Sequence, residues 1–386
     1  MANDWQNAGF GIYFHWPFCQ SKCPYCDFNS HVRAVVDQAR WARAFVKEIE
    51  YHAHLTPNRT VDTVFFGGGT PSLMLPETVA TILEAVRKNW NVSSSVEISL
   101  EANPTSVEMT RFKGFSESGI NRISMGIQAL NDTDLKALGR LHSVTDARQA
   151  FDIAKLLFKA VSFDLIYARQ GQTLSNWRGE LKTALCMAVD HLSLYQLTIE
   201  DGTRFGDLYQ RGKLRDLPSD NLASEMFNAT QDICAAAGLN AYEVSNHAKS
   251  GAECRHNLIY WRYGDYVGIG PGAHGRLTLG GKKLATETPP SPEKWLAKIE
   301  GAETATVISE TILPDDQFSE YLLMSLRLAE GSNLERLQNL SSQRLDITHL
   351  RQLEKDGFLK LSNQNVKTTP KGRLVLNALL GEILSN

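Results

Sequence analysis

Short apolar runs alternate with longer amphipathic ones through the first two-thirds of this chain, and that alternation constrains its fold more than any other feature. Strand-like runs occupy 11–15, 61–66, 96–100, 122–127, 161–166 and 191–199. Between them, patterns of helical period cover 37–54, 76–89, 107–118, 145–159 and 174–189. Successive β-then-α units predict a parallel sheet, because each crossover helix returns the chain to the same edge. After another long helix at 221–237 comes a Gly-rich segment, 266–275. The stretch 280–304, rich in Gly, Thr, Pro and Lys, reads as a linker. Beyond it lie helical patterns at 315–328, 334–340 and 347–357, two short strands at 358–361 and 365–368, and a last helix from Pro370. That order predicts a small α+β unit of winged-helix type. The expected division is therefore 1–280, a linker at 281–304, and a C-terminal unit at 305–386. At 386 residues the chain is long enough for one large α/β domain and a smaller one.

Charge narrows the partners. The formal net charge is −3 and no basic tract of the kind that neutralises phosphates is present, which argues against a nucleic-acid partner. The C-terminal unit is likewise expected to be a packing appendage rather than a DNA reader. The opening MANDWQNAGF has neither the basic nor the apolar region of a signal peptide. No apolar stretch approaches the roughly 20 residues of a membrane helix. Six cysteines, three of them clustered, point to a cytoplasmic metalloprotein.

The clustered three are Cys19, Cys23 and Cys26, spaced C-x3-C-x2-C; the next cysteine is Cys186. Three thiolates without a nearby fourth suit a 4Fe–4S cluster in which one iron stays open. Zinc is the alternative, with His15, Asp27 or His31 as a fourth ligand. The cysteine loop follows the first strand, and unusual residues follow the others: Gly67-Gly68-Gly69-Thr70-Pro71, Glu101-Ala102-Asn103-Pro104, Gln128, Asp164, and Gln196 with Thr198. Arg140 lies after the fourth strand. Singly, a Gly triplet is a tight turn and a strand-end carboxylate is a helix cap. Gathered at the strand ends of one β/α barrel, they form a polar pocket for a small charged organic ligand.

The runs CQSKCPYC, FFGGGTPS, EANP, INRISMGIQ and LGRLH resemble the radical S-adenosylmethionine (SAM) superfamily. Within it the match is to the branch containing oxygen-independent coproporphyrinogen III oxidase, over about residues 10–280. The resemblance implies a partial (β/α)6 TIM-like barrel. It implies a 4Fe–4S cluster on Cys19, Cys23 and Cys26, with SAM at the open iron as the source of a 5′-deoxyadenosyl radical. Tyr13 would lie beside SAM and Tyr25 against adenine. Gly68, Gly69 and Thr70 would meet the methionyl amino group, and Glu101, Gln128, Arg140 and Asp164 would hold ribose and carboxylate. One departure stands out: where the family usually reads DLIYGLPGQ, this chain has Ala168-Arg169-Gln170 after Tyr167.

Two features separate the relatives. The oxidase carries a further cysteine two residues after the third, and here that position is Phe28; its N-terminal arm is also longer. The run His256-Asn257-Leu258-Ile259-Tyr260-Trp261 matches HNxxYW, the heme-binding motif of the heme chaperones called HemW. Neutral histidine is a good iron ligand and nearby aromatics offer flat apolar surface. The plainer reading makes Tyr260 and Trp261 core aromatics with His256 hydrogen-bonded among them. The resemblance implies a heme chaperone with heme at His256, Asn257, Tyr260 and Trp261. It would serve acceptor proteins, membrane-bound respiratory ones among them, with no catalytic residue assigned and with a dimer as one allowed state. The rival is radical decarboxylation of coproporphyrinogen III, and a zinc-binding structural protein is the third.

Overall fold

The computed structural model describes residues 3–187, 190–301 and 304–385. Strands β1 (Phe10–Trp16), β2 (Thr60–Gly68), β3 (Asn91–Ala102), β4 (Arg122–Gln128), β5 (Ala160–Tyr167) and β6 (His191–Gln196) lie side by side in chain order, all parallel. The crossovers contain α1 (Gln38–Leu55), α2 (Pro76–Asn89), α3 (Val144–Leu157) and α4 (Leu174–Cys186). Period-two alternation divides each strand between two environments. In β1 the helix-facing set is Phe10, Ile12, Phe14 and Trp16, all buried; Phe14 meets Phe45 edge-on and Trp16 meets Trp41. Tyr13 and His15 point the other way, into the barrel interior, where they pack on each other. Parallel strands are covered on both faces for this reason.

The sheet extends at both edges. Beyond β6 run two short antiparallel strands, β7 (Asn240–Ala241) and β8 (Asn246–Ala248), after α5 (Asp220–Ala236). Helix α6 (Arg255–Trp261) leads to β9 (Asp265–Ile269), parallel to β1 on its other side. Antiparallel strands β10 (His274–Leu279), β11 (Lys282–Glu287) and β12 (Val307–Thr311) follow. Among the described residues the two outer edges do not pair, so the barrel is partial and open, as expected.

The stretch expected to be a linker is structured. Gly280 and Gly281 have φ of +55° and +80° and join β10 to β11. Two left-handed residues in a two-residue loop are the tight-hairpin geometry that matches strand twist. Helix α7 (Pro292–Gly301) then places Trp295 flat against Trp41, with centroids 5.2 Å apart and planes 8° apart. The segment thus seals the outside of α1. Positions 188–189 of the expected fifth helix and 302–303 of the expected linker lie outside the described residues. Two smaller expectations also shift: the sixth strand stops at Gln196, and 107–118 breaks into helices Ser106–Met109 and Phe112–Ser118.

The C-terminal unit combines α8 (Pro314–Ser325), α9 (Leu334–Leu340) and α10 (Ile347–Lys355) with a three-stranded antiparallel sheet. Its strands are β13 (Ser332–Asn333), β14 (Leu359–Leu361) and β15 (Asn365–Thr368), a winged-helix-like order. Leu322, Leu337, Leu353, Val366 and Leu380 belong to its own apolar core. It docks on the barrel through Arg276 with Glu320 (2.9 Å), Arg336 with Asp4 (2.7 Å), and Arg327 over the Trp261 ring (4.7 Å). No described helix is long and apolar enough to cross a membrane.

Candidate functional site

A cavity of about 500 Å³ opens at the carboxyl ends of the parallel strands. The cysteine loop forms one wall. It is closed at its base by Phe18–Cys19 pairing with His31–Val32, and His31 N–H donates to Pro17 O at 2.7 Å. Cys19, Cys23 and Cys26 all line the cavity. Burial raises the Cys19 thiol pKa, opposed by hydrogen bonds from Thr70 and Ser30, and burial raises that of Cys26. Among the described residues no three His, Cys, Asp or Glu side chains converge as a single bound ion requires. Thiols set around a cavity wall suit the larger four-iron cluster.

The triple-glycine turn is the second wall, and the structure gives its sequence a specific reason. Gly69 N–H donates to Trp16 O at 2.7 Å and Thr70 N–H to Phe18 O at 2.9 Å, so this turn is bound to the cysteine strand. A Cβ on Gly69 would lie 2.9 Å from Phe18 O and 3.0 Å from Cys19 Sγ. The missing side chain therefore admits the cysteine loop itself. Thr70 Oγ1 donates to Cys19 Sγ at 3.4 Å and accepts from Asn103 Nδ2 at 3.4 Å. Arg140 spans the next gap: Nη1 reaches Cys23 Sγ at 3.4 Å, while Nη2 donates to Gly126 O at 2.7 Å and to Asn103 Oδ1.

Opposite these stand two carboxyls. Burial, then the charge of Asp164, pushes Glu101 up to about 8 despite a hydrogen bond from the Gly68 N–H. Burial pushes Asp164 up to about 6, opposed by the Ser193 and Ser124 hydroxyls. Neither carboxyl forms an ion pair within 4 Å among the described residues. Two desolvated carboxyls call for a ligand that brings hydroxyl donors and positive charge. SAM carries ribose hydroxyls, an ammonium and a sulfonium, so the donor set fits it. Tyr25 and Gln128 complete the wall, and Gln128 adopts φ +74°.

Of the residues expected around SAM, Tyr13 alone does not line the cavity. Its hydroxyl is 3.0 Å from His15 Nδ1, and its ring stacks on Phe65 and His256 in the barrel interior. The expected heme run is also elsewhere. His256 is 1% exposed; Nδ1 lies 2.7 Å from Thr63 Oγ1 and Nε2 lies 2.7 Å from Tyr260 Oη. Burial holds its pKa down to about 3, so the ring is neutral. Asn257 reaches Tyr242 Oη at 3.5 Å, and Trp261 faces Arg327 of the C-terminal unit. Glu97 accepts from the N–H groups of Arg255 and His256, seating α6 against β3. The HNxxYW run thus has the plainer geometry, a hydrogen-bonded core histidine, and His256 offers no free nitrogen to an iron in this conformation.

The departure at Ala168 has a visible consequence. Ala168 stands at φ +57°, a left-handed conformation that glycine adopts without cost. Arg169 holds the loop in place of the missing Gly-Leu-Pro: its guanidinium pairs with Asp134 and Glu180, both at 2.6 Å. Two residues to which the sequence assigned no individual role also stand out. Asn103 bridges Thr70 and Arg140, and His142 lines the cavity; both sat inside runs already singled out, EANP and LGRLH.

The radical SAM superfamily pattern matches residues 13–184, and the HemN C-terminal domain pattern matches 312–375. In fold the chain resembles coproporphyrinogen III oxidase (HemN) from Escherichia coli, with a TM-score of 0.79. That match covers 97% of this chain and 89% of the other at 21% identity. A mitochondrial radical S-adenosyl methionine domain-containing protein 1 from Bos taurus is 38% identical over 97% of this chain and 87% of its own. A protein named heme chaperone HemW, from Escherichia coli, is 34% identical over 96% of both chains. Another of that name, from Haemophilus influenzae, is 40% identical over 69% of this chain and 70% of its own. With both family patterns matched and relatives 34–40% identical over two thirds to nearly all of its length, the chain belongs to the radical-SAM family that includes the HemW heme chaperones.

Proposed function

We propose that this protein is a heme chaperone that binds heme and passes it to acceptor proteins, membrane-bound respiratory proteins among them. It holds a 4Fe–4S cluster on Cys19, Cys23 and Cys26, with SAM in the adjoining cavity. The observation that carries the reading is end-to-end similarity to proteins of that name, C-terminal unit included. Phe28 adds to it: at the cavity mouth, where the oxidase branch has a further cysteine, this chain exposes an aromatic ring. Cluster and SAM, when bound, supply one-electron chemistry at the SAM sulfonium.

This chain's residues bind and orient. Arg140, fixed by Asn103 and the Gly126 carbonyl, presents positive charge to the SAM carboxylate. Glu101 and Asp164 accept from the ribose hydroxyls, and Thr70 and Gly69 hold the cysteine loop against the ligand. The HNxxYW helix is a strut between the barrel interior and the C-terminal unit. All six cysteines are unpaired, which suits a reducing cytoplasm.

The test is anaerobic reconstitution, with heme titration and coproporphyrinogen III conversion measured on the same sample. Heme binding, transfer to an apo heme protein, and no protoporphyrinogen IX are expected. Sustained SAM-dependent decarboxylation without heme binding would assign the protein to the oxidase reaction.

A further inference from the structure

Two residues expected to face SAM, Gln128 and Arg140, both line the cavity and stand at the two ends of one segment. Strand β4 ends at Gln128, where φ is +74°, and a single short helix, Asp132–Ala137, carries the chain on to Arg140. The Arg140 N–H donates to Leu135 O at 2.8 Å, so the backbone of this arginine is fixed to the end of that helix. Gly139, at φ +69°, lets the turn close on the cysteine loop, where a Cβ would stand 2.7 Å from Pro24 Cδ. The placement of both SAM-facing side chains therefore depends on what holds this segment against its neighbours.

One guanidinium reaches it at two points. Arg169 is buried just beyond the end of β5 and does not itself line the cavity. Its Nη2 and Nε donate to Asp134 Oδ2 at 2.6 Å and 3.1 Å, which ties down the short helix. Nη2 also donates to Glu180 Oε2 of α4 at 2.6 Å, and Nη1 donates to the Ile166 carbonyl of β5. Glu180 passes the restraint on, because its Oε1 accepts from the Leu130 N–H at 2.6 Å, two residues after Gln128. Both ends of the segment thus depend on the same cation. A planar fork of five donors serves three acceptors at once, which a point-like ammonium cannot do. Removing it would leave the buried Glu180 carboxylate without its cation.

We propose that Arg169 is a positioning residue for SAM: by clamping the helix Asp132–Ala137 and Leu130 to the end of β5, it sets where Gln128 and Arg140 meet the ligand. This rests on the reading of the cavity as the SAM site and deepens it. Arg169 makes no bond to SAM and acts through those two residues. It also gives the departure from Gly-Leu-Pro a function. Proline restrains a loop through its fixed φ, whereas this chain restrains the same loop by an ionic clamp that reaches the neighbouring segment.

The experiment measures SAM binding to anaerobically reconstituted full-length protein, by equilibrium dialysis and by the change SAM makes in the EPR spectrum of the reduced cluster. Parent, Arg169→Ala, Arg169→Lys, Asp134→Asn and the Arg169→Ala/Asp134→Asn double variant are compared. Arg169→Ala should bind SAM at least about tenfold more weakly, the loss typical when the group orienting a ligand-binding residue is removed. Its SAM-dependent EPR change should shrink while cluster iron and sulfide stay at parent levels. Arg169→Lys keeps a buried cation, which guards against misfolding, and should still bind more weakly than the parent because it lacks the fork. Asp134→Asn should weaken binding alone and cause no further loss beside Arg169→Ala, since Asp134 acts through Arg169. A merely structural role would lower the unfolding midpoint and leave SAM affinity and the EPR change of the folded protein untouched. Parent-like SAM binding in Arg169→Ala and Arg169→Lys therefore overturns the proposal, and so does loss of the cluster itself in Arg169→Lys. A parent protein that holds its cluster and binds no SAM overturns the reading of the cavity instead.

Discussion

Replacing His256 by alanine tests whether the HNxxYW helix is a structural element. The ring is enclosed by Phe65 (centroids 5.1 Å, planes 19°), Tyr260 (4.8 Å, edge-on) and Tyr13 (6.5 Å). It is the partner of two buried hydroxyls, those of Thr63 and Tyr260. Truncating a buried ring costs about 2–5 kcal/mol in lost transfer energy and cavity. Stranding a buried hydroxyl adds about 1–3 kcal/mol where it finds no new partner. The expected loss is therefore about 3–8 kcal/mol, against a total stability of about 5–15 kcal/mol for a typical domain. Guanidinium unfolding followed by tryptophan fluorescence and far-ultraviolet circular dichroism measures it. His256→Gln, which keeps hydrogen-bonding capacity and part of the volume, should recover at least half of the loss. An alanine variant within about 1 kcal/mol of the parent would refute the strut role. Any loss of heme by His256→Ala has to be read beside this destabilisation.

Three further outcomes follow from the site. Gly69→Ala forces its new Cβ against Phe18 O and Cys19 Sγ, and should cost about 1–3 kcal/mol and lower cluster iron content. Gly179→Ala, in α4 with nothing within 4 Å, should stabilise by about 0.5–1 kcal/mol in the same guanidinium unfolding. Glu101, raised from 4.5 to about 8 in the folded protein, keeps a proton there that the unfolded chain has released. Ligand-free stability should therefore fall as pH rises from about 4.5 to 8, by up to roughly 1.4 kcal/mol per unit. In Glu101→Gln that fall should shrink and SAM affinity should drop; equal slopes in the two proteins would contradict the assignment. Alanine at Cys19, Cys23 or Cys26 should abolish the cluster absorbance, while Cys186→Ala should leave it intact. Retention of the chromophore in any of the first three would exclude that residue as a ligand.

Much of this protein is legible without coordinates. Strands β1–β6 are alternating or continuous apolar runs of strand length, and the helices between them carry 3.6-residue periodicity, so local pattern alone orders six parallel units. Parallel order in turn fixes where functional groups gather, because every strand then ends at the same rim. That is why Cys19, Gly69, Glu101, Gln128 and Asp164, far apart in the chain, could be expected together. The Gly280–Gly281 turn was legible in principle as a two-glycine hairpin signal between β10 and β11, but the Pro- and Thr-rich composition after it argued for a linker.

The histidines mark the limit. His256 and His142 are the same residue type, both in runs that resemble a family motif, and nothing local distinguishes a sealed imidazole from an available one. The difference lies in groups distant in sequence. Thr63, from β2, occupies one nitrogen of His256, while Tyr260, one helical turn on, occupies the other; the Ile127 carbonyl takes only one nitrogen of His142. Tyr13 shows the same limit, because period two predicts only that it leaves the helix-facing side. Whether that side at its level is cavity or packed interior depends on what α6 inserts beneath the sheet. Periodicity determines which way a side chain points, and tertiary packing decides what it meets there and which lone pairs remain free for a ligand.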